Sequence, residues 1–187
     1  MKKNIKFVRW DITPYCNLNC RHCYAKGMYG ENMRELSLHE IEICMDRLCE
    51  VGVENIIFYG GEPLIRKDLP EIVSFCDDRN VKSHIITNGT MITREMVKKL
   101  ADAGLEQMGV SVDATNRTTY TKIRGKDYFS RILDNIRILV EHPFKVSMGF
   151  VLSKINYREV QAFIELARNL QVDQVIFIPL APKGPSG

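Results

Sequence analysis

Short runs of β-branched and aromatic residues alternate with longer stretches of helical period, and this alternation constrains the fold more than any other feature of the chain. "IKFVRWDIT" (5–13), "NIIFYGG" (55–61), "KSHIITNG" (82–89), "EQMGVSVDA" (106–114), "FKVSMGFVLS" (144–153) and "DQVIFIPL" (173–180) read as six strands. Between them, helical periodicity predicts five helices. Ser37 and Glu40 frame a capping box for "SLHEIEICMDRLCEVG", which Gly52 stops. Asp68 and Glu71 supply caps for "LPEIVSFCDDRN", with Pro70 tolerated in the first turn. "TREMVKKLADAG" stops at Gly104, and "SRILDNIRILVEH" places Ile132, Leu133, Ile136, Leu139 and Val140 on one face. Asn156 caps "NYREVQAFIELARNL".

Strands joined through helices run parallel with right-handed crossovers. An open doubly wound sheet and a barrel of βα units both satisfy that rule. A complete eight-unit barrel runs to about 250 residues; six units in 187 residues describe a partial barrel in a single domain, followed by a Pro/Gly tail at 181–187. Polar residues close the third and fourth strands ("TNG", "SVD"), which suits a site at the C-terminal rim.

The segment "DITPYCNLNCRHCYA" (11–25) sets Cys16, Cys20 and Cys23 into one Pro/Asn-rich loop after the first strand, with no fourth cysteine. Structural zinc and ordinary iron–sulfur clusters each take four protein ligands. Three thiolates can hold three irons of a cubane and leave one iron open. Zinc is the competing reading: His22 could nominally complete a four-ligand set, but beside Cys23 it is poorly placed to reach the same metal. Free thiols are the blander alternative. The other three cysteines, Cys44, Cys49 and Cys76, fall in helices and read as packing thiols.

Composition excludes several classes. Lys and Arg number 26 against 23 Asp and Glu, a net charge of +3 without a basic run, so there is no nucleic-acid signature. The start "MKKNIKFVRWDIT" lacks an apolar stretch, and no segment suits a membrane span. Cysteines without a secretory signal favour a reducing, cytoplasmic setting.

"CNLNCRHC" is a Cys-x3-Cys-x-aromatic-Cys pattern with His22 in the aromatic slot, and "GGEP" (60–63) follows the second strand. Together they resemble the signature of the radical SAM enzymes, and "TNG", "SVD" and "IRG" recur in corresponding places. The resemblance implies a partial (β/α)6 TIM-like barrel, a radical SAM core domain over 1–180, and a [4Fe–4S] cluster held by Cys16, Cys20 and Cys23. S-adenosyl-L-methionine (SAM) would bind the open iron through its amino and carboxylate groups, and be cleaved to a 5′-deoxyadenosyl radical that abstracts hydrogen.

By the same resemblance Gly60, Gly61, Glu62 and Pro63 meet the methionine amino group, Ser111 and Arg124 hold the SAM carboxylate, and Asn88 sits near the ribose or methionine. Period two places Ser111 and Asp113 on one face; a turn-capping role is the alternative for Asn88 and Asp113. Adenine would lie against the backbone near His22. Val151 and Ile178 read as core residues, with an adenine contact as the alternative. Tyr24 either packs on the cluster or cofactor or simply shields them. "SVDATNRTTYTKIRG" with "FSRILDNIRIL" resembles the branch carrying SPASM or twitch domains, which matures peptides, cofactors or tetrapyrroles. That implies a substrate of one of these kinds and a reductant such as flavodoxin or ferredoxin. A non-catalytic iron–sulfur redox module would need the cysteines but not "GGEP" or Arg124.

Overall fold

The computed structural model describes residues 5–25 and 33–180, so the tail expected at 181–187 lies outside the described residues. Six strands form one sheet: β1 (Phe7–Asp11), β2 (Asn55–Tyr59), β3 (Lys82–Thr87), β4 (Gln107–Ser111), β5 (Lys145–Leu152) and β6 (Gln174–Pro179). Every neighbouring pair is parallel, and spatial order follows chain order from β1 to β6. A doubly wound sheet needs a reversal of strand order at its switch point, and none occurs here. Uniform right-handed crossovers then put the helices on one side of the sheet, which curls into a half-barrel.

The helices are α1 (Leu38–Glu50), α2 (Leu69–Asp77), α3 (Arg94–Asp102), α4 (Arg117–Arg124), α5 (Phe129–Leu139) and α6 (Val160–Asn169). Alternation along the strands separates two environments. Ile56, Phe58, Ile85, Met108, Val110, Val146, Met148 and Phe150 are buried with the helix residues Ile41, Met45, Ile72, Leu100, Ile132, Ile136 and Phe163 in one continuous core. The opposite, concave face carries Arg9, Asp11, Tyr59, His84, Gly109, Ser111 and Gly149, which share the other strand parity. None of the described helices is long and apolar enough to cross a membrane.

Local signals hold at several predicted ends. The Ser37–Glu40 capping box is reciprocal, and Gly52 and Gly104 adopt φ values of 83° and 85° that a Cβ would strain. Other expectations need correction. Asp68 makes no cap hydrogen bond; its carboxylate accepts from Arg66 Nε and Nη2 at 2.9 and 2.7 Å, because a guanidinium fork outcompetes a backbone N–H. Helix α4 was not anticipated, although Asn116 caps it by accepting from Thr119 N at 2.9 Å and Gly125 ends it in the left-handed region. Val151 is only half-buried and Ile178 is exposed. These two are register partners on the concave side and not part of the helix-side core.

Asn156 also departs from its expected role. It makes no side-chain cap and is fully buried. Its amide donates to Asp113 O and Val151 O at 2.9 and 2.8 Å, and its Oδ1 accepts from Ser153 N at 2.8 Å and Ser153 Oγ at 3.0 Å. The residue braces the end of β5 against the chain leaving β4. Asn156→Ala should therefore lower stability by about 2–4 kcal/mol, since several buried backbone groups lose their partners. Urea unfolding of the metal-free protein measures this, and a loss below about 1 kcal/mol would count against the brace.

Candidate functional site

Three loops converge at the C-terminal rim. The first leaves β1 and carries the cysteines, the second leaves β2 at Gly60, and the third leaves β3 at Asn88. The first two touch backbone to backbone: Gly61 N donates to Thr13 O and Glu62 N to Tyr15 O, both at 2.7 Å. A Cβ on Gly60 would come within 2.3 Å of Thr13 O, and one on Gly61 within 2.0 Å of Tyr15 O. Gly60 also sits at φ 136°. Both glycines are required by close approach of protein to protein.

Glu62 is fully buried and caps the short 3-10 turn that begins at Pro63. Its carboxylate accepts from Leu64 N at 3.1 Å, Thr87 Oγ1 at 2.6 Å and Asn88 N at 2.7 Å. Burial pushes this carboxyl above its usual range, and those three donors act against the push. Glu62 thereby welds the second loop to the third.

Asn88 then reaches the first loop, donating to Asn17 Oδ1 at 2.9 Å, with Cys16 Sγ 3.9 Å from the same nitrogen. Asn17 in turn donates to Thr90 Oγ1 at 2.8 Å. Cys16 is exposed, Cys23 half-buried and Cys20 buried. Leu18 N donates to Cys16 Sγ at 3.4 Å, and Arg124 Nη1 to Cys20 Sγ at 3.6 Å. Arg21 N, donating to Ile123 O at 3.0 Å, ties the loop to the end of α4.

Burial raises the thiol pKa values of Cys16 and Cys20, with Leu18 N and Arg124 respectively pulling back toward the thiolate. Among the described residues no three His, Cys, Asp or Glu side chains gather on one metal-ion position. The donor set does suit a cluster: three sulfurs, two of them already receiving N–H donors of the sort that tune iron–sulfur centres. Cys44 and Cys49 are half-buried and Cys76 is buried, its thiol pushed up to about 12 by desolvation. All three lie on helices away from these loops, as packing residues do.

Asp113 is the hub on the other side of the loop. The N–H groups of Val112 and Asp113 both point to Gly149 O, at 3.0 and 3.3 Å, and Asp113 takes φ 64°. The strand period therefore breaks after Ser111. Ser111 stays on the concave face beside Gly149, whereas the Asp113 side chain is wholly buried. Its Oδ2 meets Arg124 Nη2 at 2.5 Å and His22 Nε2 at 3.1 Å, and its Oδ1 accepts from Val151 N at 2.6 Å. Burial would raise its pKa, but Arg124 and then His22 hold it below the usual carboxylate range. Arg124, also buried, is raised by Asp113 and Cys20 against a burial effect that would lower it.

Arg124 is thus joined to Asp113 and Cys20, and not to Ser111. His22 projects onto the same carboxylate, its Nδ1 buried without a hydrogen-bond partner. Tyr24 is half exposed; its hydroxyl donates to Asp11 Oδ1 at 3.3 Å and its ring faces Arg9. The Asp113–Arg124 pair and the Arg9–Tyr24 contact were missed from sequence. An Asn-x-x-Thr cap ahead of "YTKIRG" could have revealed α4, and with it the return of Arg124 to the rim.

Breaking the buried ion pair from one side should be costly. Arg124→Gln and Asp113→Asn should each destabilise the metal-free protein by about 3–5 kcal/mol. The double variant should lose clearly less than the sum. Additive losses in urea unfolding would show that the two charges do not stabilise each other.

Comparison with known proteins adds the family. Residues 10–167 match the model of the radical SAM superfamily. The chain is 39% identical over 178 residues to Fe-coproporphyrin III synthase of Methanosarcina barkeri, covering 95% of this chain and 44% of that protein. It is 33% identical to the AdoMet-dependent heme synthase of the same organism, over 96% of this chain and 52% of the relative. It is 32% identical to the probable GTP 3′,8-cyclase of Metallosphaera sedula, over 95% of this chain and 56% of the relative. The chain spans about half the length of these relatives. Among solved structures, Streptococcus suis SuiB bound to precursor peptide SuiA superposes with a TM-score of 0.83 at 18% identity, over 95% of this chain and 40% of that one. The anSMEcpe structure with bound AdoMet and Kp18Cys peptide gives 0.78 at 18% identity, over 96% and 53%.

Proposed function

The chain belongs to the radical SAM superfamily, and from that premise we propose that residues 1–180 form the core of an enzyme that cleaves S-adenosylmethionine reductively at a [4Fe–4S] cluster. The supporting observation is the three-sulfur loop welded to the Gly60–Pro63 loop through Thr13, Tyr15 and Glu62. A stray thiol loop has no need of that weld. Bound here, cluster and SAM would supply a 5′-deoxyadenosyl radical able to remove hydrogen from an unreactive carbon.

The protein's own residues divide the remaining work. Cys16, Cys20 and Cys23 would hold three irons, with N–H donors from Leu18 and Arg124 favouring the thiolate form. Gly60 and Gly61 present backbone at the rim, and Glu62 and Pro63 fix its course. Asn88, Ser111, His22 and Tyr24 stand around the same loops and are our candidate SAM contacts. Arg124 could serve the SAM carboxylate only by sharing a guanidinium that Asp113 already engages.

For the substrate we favour tetrapyrrole maturation over peptides. The two Methanosarcina barkeri relatives, at 39% and 33% identity, act on haem-type molecules by name. The peptide-bound structures, at 18%, speak to the fold alone. A reduced flavodoxin or ferredoxin in a reducing cytoplasm would supply the electron.

Anaerobic reconstitution with iron and sulfide tests the reading. The wild-type chain, reduced with dithionite in the presence of SAM, should release 5′-deoxyadenosine, measured by chromatography, and its electron-spin signal should shift on adding SAM. Cys20→Ala should fold yet show no four-iron absorbance. A colourless zinc protein, or a stable cluster that never yields 5′-deoxyadenosine, would count against the enzyme; the latter outcome fits a redox module.

A further inference from the structure

We propose that Arg9, clamped between Tyr24 and Tyr59, anchors a carboxylate of the substrate on the concave face; this rests on the tetrapyrrole reading of the same site. Arg9 lies on β1 with Ile57 as its register partner, and Asp11 and Tyr59 are partnered one step nearer the rim. All share the concave parity. The guanidinium carbon stands 4.4 Å from the Tyr24 ring centroid and 4.2 Å from that of Tyr59. Tyr24 directly follows Cys23, and Tyr59 directly precedes Gly60. The cation is therefore seated between the cysteine loop and the Gly-Gly loop.

The clamp has a chemical consequence. A guanidinium is planar, and its N–H donors all lie in that plane. Cation–π contact with the Tyr24 and Tyr59 rings restrains that plane. Asp11 approaches at Nε, and at 3.6 Å it is beyond a good hydrogen bond. An arginine serving only as a staple would be expected to look like Arg66 or Arg124, whose side chains are 2% and 7% exposed and closely paired. Arg9 is 50% exposed on the face that the helices leave uncovered. Its orientation is set before a ligand arrives, so less entropy is lost on binding.

The Tyr24 flank suits a flat partner. Tyr24 is 48% exposed and offers an aromatic edge to a planar macrocycle. A carboxylate fits the guanidinium edge in bidentate fashion. A phosphate could do so too, and the relatives named for tetrapyrroles and for GTP make both sources worth separating.

The test titrates cluster-reconstituted protein anaerobically with iron coproporphyrin III, with its tetramethyl ester and with GTP. Wild type should bind the tetra-acid far more tightly than the ester. Arg9→Gln should weaken tetra-acid binding about ten- to hundred-fold, Arg9→Lys should recover part of the loss, and ester binding should not respond to either change. Four-iron absorbance and SAM affinity should match wild type in both variants, which separates anchoring from damage to the site. Equal tetra-acid affinity in wild type and Arg9→Gln, or equal wild-type affinity for acid and ester, would overturn the proposal. Arg9-dependent binding of GTP in place of the porphyrin would overturn the carboxylate assignment. Arg9-dependent porphyrin binding in a chain that never forms 5′-deoxyadenosine would uphold the anchor while sinking the catalytic reading.

Discussion

The site depends on two peptide backbones lying closer together than any side chain would permit. Gly60 and Gly61 pass the carbonyls of Thr13 and Tyr15 at distances a Cβ would violate outright. This contact ties the cysteine loop, which has little regular structure of its own, to the end of β2. Glu62 extends the tie to β3 through Thr87 and Asn88. Three loops that would each be mobile alone become one rigid rim, because each supplies the hydrogen-bond partners that the next would otherwise lack.

Charge is handled differently on the two sides of that rim. On the side of β4 and α4, a carboxylate and a guanidinium are buried together, and both are turned toward the cysteine loop. Neither could be left there alone, since an unpaired charge at such depth would cost several kcal/mol. On the side of β1 and β2, Arg9 and Asp11 remain partly in water, and aromatic faces hold the cation. The buried pair sets geometry near the sulfurs. The exposed pair meets whatever approaches across the open face.

The architecture was legible from the strand–helix alternation because parallel pairing and right-handed crossovers leave few alternatives. The three-cysteine spacing and "GGEP" marked the rim for similar reasons: both are local motifs with few other uses. What escaped was long-range polar pairing. Asp113 looked like a strand residue facing the way of Ser111, and only the doubled approach of Val112 and Asp113 to Gly149 O turns it inward. Asn156 looked like a cap, but its Oδ1, the atom a cap would use, accepts from Ser153 N and Oγ, while its amide nitrogen donates to buried carbonyls of two segments. The Arg9 clamp joins residues whose sequence separations carry no period at all.

The pairing of Arg124 also bears on how the site can accept charge. Its guanidinium already spans a carboxylate and a cysteine sulfur, so its donors are shared before any ligand is present. A further anion arriving there must compete with Asp113, which His22 also holds. Full rupture of the buried pair would leave a carboxylate stranded in low dielectric, a far larger penalty than a single new hydrogen bond returns. A guanidinium has five donors, so sharing is chemically available where exchange is not. An anion reaching Arg124 would therefore have to add contacts to it while the one to Asp113 is kept.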